Sequence, residues 1–120
     1  MDNTIFVVDN NEVNGIILEE MLMDQYKVIF LHSAEKMYKA LEKVVPNLII
    51  LDIGMPVIDG FEALQWLKES GDYADIPVIC VSYRDDAESE IKCFDLGAID
   101  YINRPFDRGV VRCRVKARIK

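Results

Sequence analysis

Apolar residues recur along this chain in two alternating rhythms. Short unbroken runs, chiefly Thr4-Ile5-Phe6-Val7-Val8 and Asn47-Leu48-Ile49-Ile50-Leu51, show no polar alternation. Such runs suit strands buried on both faces, as in a parallel sheet covered by helices. Between them, apolar positions return every three or four residues, the period of an amphipathic helix. A strand over about 4–8 leads to a helix over about 12–24, striped by Val13, Ile16, Ile17 and Met21 and capped by Asn10 or Asn11. A strand over 27–31 precedes a helix capped by Ser33, with Met37, Tyr38, Leu41 and Val44 on one face, ending before Pro46. The third strand, 47–51, gives way to a loop through Gly54, Pro56 and Gly60, then to a helix with Phe61, Leu64 and Leu67 inward. Pro77 introduces a strand over 78–81. The next helix, 86–95, places Ile91, Phe94 and Leu96 inward and stops at Gly97. Tyr101-Ile102 form the fifth strand, and a last helix fills about 108–119.

Strict alternation implies right-handed βαβ crossovers and a three-layer α/β sandwich. Five such units fit a single domain over 1–120 with a parallel five-stranded sheet in the flavodoxin-like order 2-1-3-4-5. In sheets of this kind ligands sit beyond the carboxyl ends of the strands, where the strand order reverses. Here that point lies between strands 1 and 3, which end on Asp9 and Asp52.

Composition narrows the function without naming it. With 51% hydrophobic and 29% charged residues, the chain reads as an ordinary soluble domain. No apolar run approaches the roughly 20 residues of a membrane span. The opening Met1-Asp2-Asn3-Thr4 lacks the basic region of a signal peptide, so a cytoplasmic location is expected. Cys80, Cys93 and Cys113 are widely spaced and expected to be reduced and mostly buried. With His32 the only histidine, both a zinc site and a histidine-dependent triad are excluded. The net charge of −7 is uneven, since residues 104–120 carry seven bases against Asp107 alone. Cations in final helical turns complement the macrodipole, so no direct nucleic-acid contact is expected.

The chemistry gathers at strand ends. Asp52 can accept a phosphoryl group as an acyl phosphate if a cation offsets the incoming charge. Magnesium suits that task, because it takes one or two carboxylates together with phosphate oxygens and water. Ser82, just past the fourth strand, offers a hydroxyl to a phosphoryl oxygen. Arg104, just past the fifth, offers a positive charge. Two acids, a hydroxyl and a cation are the parts of in-line phosphoryl transfer, which works mainly through positioning and electrostatics.

At this point the chain resembles the receiver domains of bacterial two-component response regulators over essentially its whole length. The resemblance rests on Phe6-Val7-Val8-Asp9-Asn10-Asn11-Glu12-Val13-Asn14, Leu51-Asp52-Ile53-Gly54-Met55-Pro56-Val57-Ile58-Asp59-Gly60 and Asp75-Ile76-Pro77-Val78-Ile79. Gly97-Ala98-Ile99-Asp100-Tyr101-Ile102 and Arg104-Pro105-Phe106 complete it. It implies that Asp52 is the phosphoacceptor for a histidine kinase or phosphotransfer protein. It also implies a magnesium site formed by Asp9, Asn10, Asp52 and the backbone carbonyl of Gly54. Ser82 becomes the switch hydroxyl, and Tyr101 the aromatic whose ring turns inward with it. Arg104-Pro105 matches a Lys-Pro pair whose peptide bond is usually cis in that family. The face built from the fourth helix, fifth strand and fifth helix becomes the output surface. There Lys92, Asp95, Asp100, Tyr101, Arg108 and Arg112 form a mixed-charge set able to pair across a homodimer.

Three departures bear on the acceptor site. Asn10 stands where the family has a second acid, which should weaken magnesium binding. Arg104 replaces a lysine, and its planar head does not reproduce a compact ammonium. Tyr83 follows the switch hydroxyl where a small residue is usual, and its ring can narrow access to Asp52. The same substitutions motivate an alternative, an atypical receiver that acts as an interaction or dimerisation module without phosphorylation. An enzyme is not expected: a dehalogenase-type phosphatase needs Asp-x-Asp after the first strand, whereas Asp9 is followed two residues later by Asn11. A flavin carrier needs a phosphate-cradling loop there, and residues 10–14 contain only Gly-free, hydroxyl-free positions. The last helical pattern runs to the final residues, which fits a stand-alone regulator or one continuing into a C-terminal output domain.

Overall fold

Five strands form and all run parallel: β1 (Thr4–Val8), β2 (Lys27–Leu31), β3 (Leu48–Asp52), β4 (Val78–Ser82) and β5 (Asp100–Asn103). Their order is β2-β1-β3-β4-β5, as the alternation of elements predicts. The intervening helices are α1 (Glu12–Leu22), α2 (Ala34–Leu41), α3 (Gly60–Glu69), α4 (Ala87–Asp95) and α5 (Arg108–Arg118). The computed structural model describes residues 3–55, 58–82 and 87–120.

The sheet divides the core in two, because successive side chains on a strand face opposite ways. Phe6, Val8, Ile49, Leu51, Cys80 and Tyr101 pack with Met37, Leu41, Leu64, Leu67 and Cys93 beneath α2, α3 and α4. Ile5, Val7, Leu48, Ile50, Ile79 and Val81 pack with Leu18, Leu22, Val111 and Val115 beneath α1 and α5. Every residue of β3 and β4 is buried, which accounts for the unbroken apolar runs.

Helix ends follow local chemistry. Asn11, Ser33, Asp59 and Asp107 each accept from a backbone N–H three residues on, at 3.1, 3.1, 2.8 and 3.0 Å, capping α1, α2, α3 and α5. Beyond α4, Gly97 takes φ 107°, a conformation that favours glycine.

Two helices are rotated from the orientation that apolar spacing predicts. On α1, Val13 and Ile16 are exposed, while Asn14, Gly15, Leu18 and Leu22 face the sheet. The reason is a close approach: a Cβ on Gly15 would lie 2.1 Å from Phe30 Cζ, so only glycine lets the ring settle against the helix. On α4, Ile91 and Phe94 are exposed, while the small Ser89 and Cys93 are buried. Leu96 is half-buried. Cys113 is exposed, unlike Cys80 and Cys93, because its neighbours Val111 and Val115 take the inward positions of α5.

Candidate functional site

Parallel pairing brings the carboxyl ends of β1, β3, β4 and β5 to one edge. Asp52 is the last residue of β3, paired with Val81, rather than the first residue after the strand. Ser82 likewise ends β4 and is buried. Its carbonyl accepts from the backbone N–H of Arg104 at 2.8 Å, which locks the exit of β5 to the end of β4. The Arg104–Pro105 peptide bond is cis.

Each acid has one oxygen committed to the backbone. Asp9 Oδ1 accepts from the Asn11 N–H at 2.9 Å, and Asp52 Oδ1 accepts from the Gly54 N–H at 2.9 Å. The Arg104 guanidinium lies between the two remaining oxygens. Its Nη2 donates to Asp9 Oδ2 and stands 3.5 Å from Asp52 Oδ2. All three side chains are at least 95% buried, with exposures of 1%, 5% and 3% for Asp9, Asp52 and Arg104. The guanidinium carbon of Arg104 lies over the Phe106 ring, 5.6 Å from its centroid.

Burial sets the electrostatics. It pushes the Asp9 carboxyl up to about 6, and the negative charge of Asp52 adds to the effect. The Asn11 amide and the positive charge of Arg104 oppose it. Asp9 therefore resists ionisation more than an ordinary carboxyl, even with a cation beside it.

The other predicted residues are distributed around this centre. Asn10 is exposed and lines a cleft of about 350 Å³ with His32, Lys36 and Met55. Gly54 has room for a side chain, since an added Cβ would meet only Asp52 Oδ1, at 3.5 Å. Tyr101 is 4% exposed and belongs to the core under α4. Tyr83 lies outside the described residues. The donors available to a cation (Asp9, Asp52, the Asn10 amide and the Gly54 carbonyl) are all oxygen, which fits magnesium in type. Among the described residues, no cluster of three or more His, Cys, Asp or Glu side chains gathers here or elsewhere. The pocket supplies two acids, consistent with an amide at position 10.

The mixed-charge face is smaller than expected. Arg112 turns toward α1, donating to Met21 O and to Asp24 Oδ1, both at 2.9 Å. Tyr101 is too deeply buried to present its ring on the surface. Asp100 is paired within the chain, to Arg118 at 3.5 Å and Arg114 at 3.9 Å. Lys92 sits over the Phe61 ring, 4.3 Å from its centroid, joining α4 to α3. Those two residues, with Ile53, Gly54, Met55 and Asp59, line an open cleft of about 400 Å³ beside the loop that follows β3. Nothing in the sequence pointed to that cleft or to the Asn11 amide, because backbone donors and inter-helix gaps have no residue signature. None of the described helices is long and apolar enough to cross a membrane.

Comparison with known proteins agrees with this architecture. Residues 5–116 match the response regulator receiver domain. The chain is 32% identical over 118 residues to the alkaline phosphatase synthesis transcriptional regulatory protein PhoP of Bacillus subtilis, covering 98% of this chain and 48% of that protein. It superimposes on the signal receiver domain of a signal transduction histidine kinase from Syntrophus aciditrophicus with a TM-score of 0.87 and 28% identity, covering 96% of this chain and 88% of that one. The chemotaxis protein CheY4 of Vibrio cholerae shares the fold, with a TM-score of 0.91 at 19% identity and 98% coverage of both chains. The chain spans about half the length of the transcriptional regulators it matches.

Proposed function

Because this chain belongs to the response regulator receiver domains, we propose that Asp52 takes a phosphoryl group from a histidine kinase or phosphotransfer protein and relays the event to the α4–β5–α5 face. The observation that carries this reading is the convergence of Asp9, Asp52 and Arg104 in one buried cluster at strand ends, with Ser82 ending the adjoining strand. The Gly54 amide holds Asp52 Oδ1, which leaves Oδ2 as the attacking oxygen. Its attack on phosphorus forms a P–O bond while the P–N bond of the donor phosphohistidine breaks, and the imidazole nitrogen keeps the electron pair. Arg104 neutralises charge on the transferred group, and the Ser82 hydroxyl donates to one of its oxygens. Asp9, Asn10, Asp52 and the Gly54 carbonyl would hold magnesium, which when bound supplies further positive charge at those oxygens. Tyr101, already inside the core, is the aromatic that follows Ser82. The domain is a signalling acceptor rather than an enzyme. Its partners are a kinase and an output domain, in the cytoplasm, with no nucleic-acid contact of its own; homodimerisation through α4–β5–α5 is its route to output.

A second reading is favoured by one observation, the Arg104 guanidinium filling the space between the two acids. A receiver held in that state can signal by protein contact alone. Incubation with acetyl phosphate and magnesium separates the two readings. Phosphoryl transfer adds one phosphoryl group to the intact mass of the wild type and none to Asp52→Ala. An unchanged wild-type mass leaves the interaction module as the surviving function.

A further inference from the structure

We propose that the surface where α2 meets α3 is a docking site for an arginine-bearing segment of a partner protein. The guanidinium lies along the ring series Tyr38, Trp66 and Tyr73, and Glu35 and Glu62 supply the opposing charge. The inference goes beyond the acceptor reading and needs no phosphoryl transfer at Asp52.

Three observations support it. First, the rings form one continuous strip. Tyr38 of α2 and Trp66 of α3 have centroids 4.2 Å apart. Trp66 and Tyr73, from the segment after α3, are 5.8 Å apart with planes 28° from parallel. The Tyr73 hydroxyl donates to the Leu41 carbonyl at 3.3 Å, which ties the strip to the end of α2. Second, the central ring does not fill the core. Tyr38 and Tyr73 pack partly against the buried cluster beneath these helices, whereas Trp66 is 39% exposed. Ala63, Leu64 and Leu67 take the inward positions of α3. The chain's only tryptophan thus presents its large ring at the solvent boundary, where tryptophan and tyrosine serve as anchors for partners. Third, the rim is acidic. Burial raises the pKa of the Tyr38 hydroxyl, and the charges of Glu62 and Glu35 raise it further, so both carboxylates act at the tip of that ring. Both glutamates are exposed. Among the described residues, ion pairs engage Asp9, Asp24, Asp52 and Asp100, and neither glutamate has a cation within pairing distance.

Electron-rich rings bordered by such carboxylates are the chemistry that recognises a cation. Arginine fits better than lysine, because its weakly hydrated planar head stacks on aromatic rings and can address a carboxylate with two N–H groups. Lys36 and Lys39, also on α2, line the cleft shared with Asn10 and His32, which Glu35 borders too. The basic α5 of a second copy is a poorer source of the occupant, since Arg112, Arg114 and Arg118 already pair with Asp24 and Asp100. The net charge of −7 favours the approach of a basic partner.

Because Trp66 is the only tryptophan, its fluorescence reads the site directly. The full chain is titrated with a blocked alanine-frame peptide carrying arginines at i and i+4. A second peptide carries citrulline at those positions, which keeps the planar head and loses the charge. The arginine peptide should shift Trp66 emission saturably and bind roughly tenfold or more tightly than the citrulline peptide. Glu35→Gln/Glu62→Gln should weaken the arginine peptide by a similar factor. Glu20→Gln/Glu90→Gln, which removes two exposed charges from α1 and α4, should leave its affinity within about twofold. Emission unmoved by the arginine peptide overturns the proposal. So does equal binding of the two peptides, which would make the strip a plain apolar patch. Equal losses in the two double variants would reduce the attraction to net charge and overturn it as well. Sedimentation showing that chains associate and shield Trp66 without peptide would give the surface to a second copy instead.

Discussion

Asp9 and Arg104, 95 residues apart in sequence, are joined by a buried hydrogen-bonded ion pair at the edge where β1 and β5 end. The pair sits in a pocket that raises the Asp9 carboxyl from 3.8 to about 6, chiefly by desolvation. A carboxyl raised in the folded state binds its proton more tightly than in the unfolded chain. Its contribution to stability is therefore full below about pH 3.8 and is lost as pH rises through about 6. With magnesium chelated, the unfolding free energies of wild type and Asp9→Asn should diverge between pH 4 and pH 7. The difference should move in favour of the variant by on the order of 2 to 3 kcal/mol. Urea denaturation across that range measures it; a constant difference contradicts the proposed electrostatics.

Position 10 tests the missing charge. Asn10 is exposed and follows Asp9 at the carboxyl edge of the sheet, and its amide offers oxygen without charge. Asn10→Asp should tighten magnesium binding by about 1 kcal/mol or more, the scale of an added charge in a partly solvated site. Isothermal titration calorimetry reads this directly. Equal affinities for the two proteins would remove electrostatics as the account of that position.

Two glycines after β3, Gly54 in the loop and Gly60 at the start of α3, should behave differently. A Cβ on Gly60 would lie 2.1 Å from Ile53 Cα and 2.3 Å from the Asp52 carbonyl oxygen, both backbone atoms that cannot give way cheaply. Gly60→Ala should cost about 3 kcal/mol or more, or prevent folding. Gly54→Ala meets only Asp52 Oδ1, at 3.5 Å, and should change stability by less than about 1 kcal/mol. Chemical denaturation of the two variants side by side checks the contrast. A Gly60→Ala protein as stable as wild type would mean that the helix start does not press on β3 as described.

Lys68 makes a structural prediction away from the site. Its ammonium donates to the carbonyls of Ala74 and Ile76, at 3.0 and 2.7 Å, closing the loop between α3 and β4. Burial is the main cause that lowers its pKa. Lys68→Met keeps the aliphatic stem and loses both bonds, so it should destabilise by roughly 1 to 3 kcal/mol. Thermal unfolding at pH 7 is the measurement, and an unaltered midpoint would assign those carbonyls to solvent.

The number and order of elements, the parallel sheet and the edge where Asp9 and Asp52 lie are all legible in the chain's residue pattern. They are legible because they depend on local period and on residues with fixed roles. Uniformly apolar runs have to be strands buried on both sides, Asn10 or Asn11 and Ser33 are placed to cap, and Asp9 and Asp52 have to lie where their strands end. Tertiary structure decided which of two possible stripes on α1 and α4 turns inward. Both stripes satisfy a spacing of three or four, and the choice fell to close approach, with Gly15 admitting Phe30 and the small Ser89 and Cys93 meeting the sheet. It also decided where the long cations reach: Arg112 to Asp24 across α1, and Arg104 between the two acids. Those pairings join residues far apart in the chain. No local pattern encodes them, because the energy that selects them arises only once the strands have been brought side by side and water has been displaced from the edge.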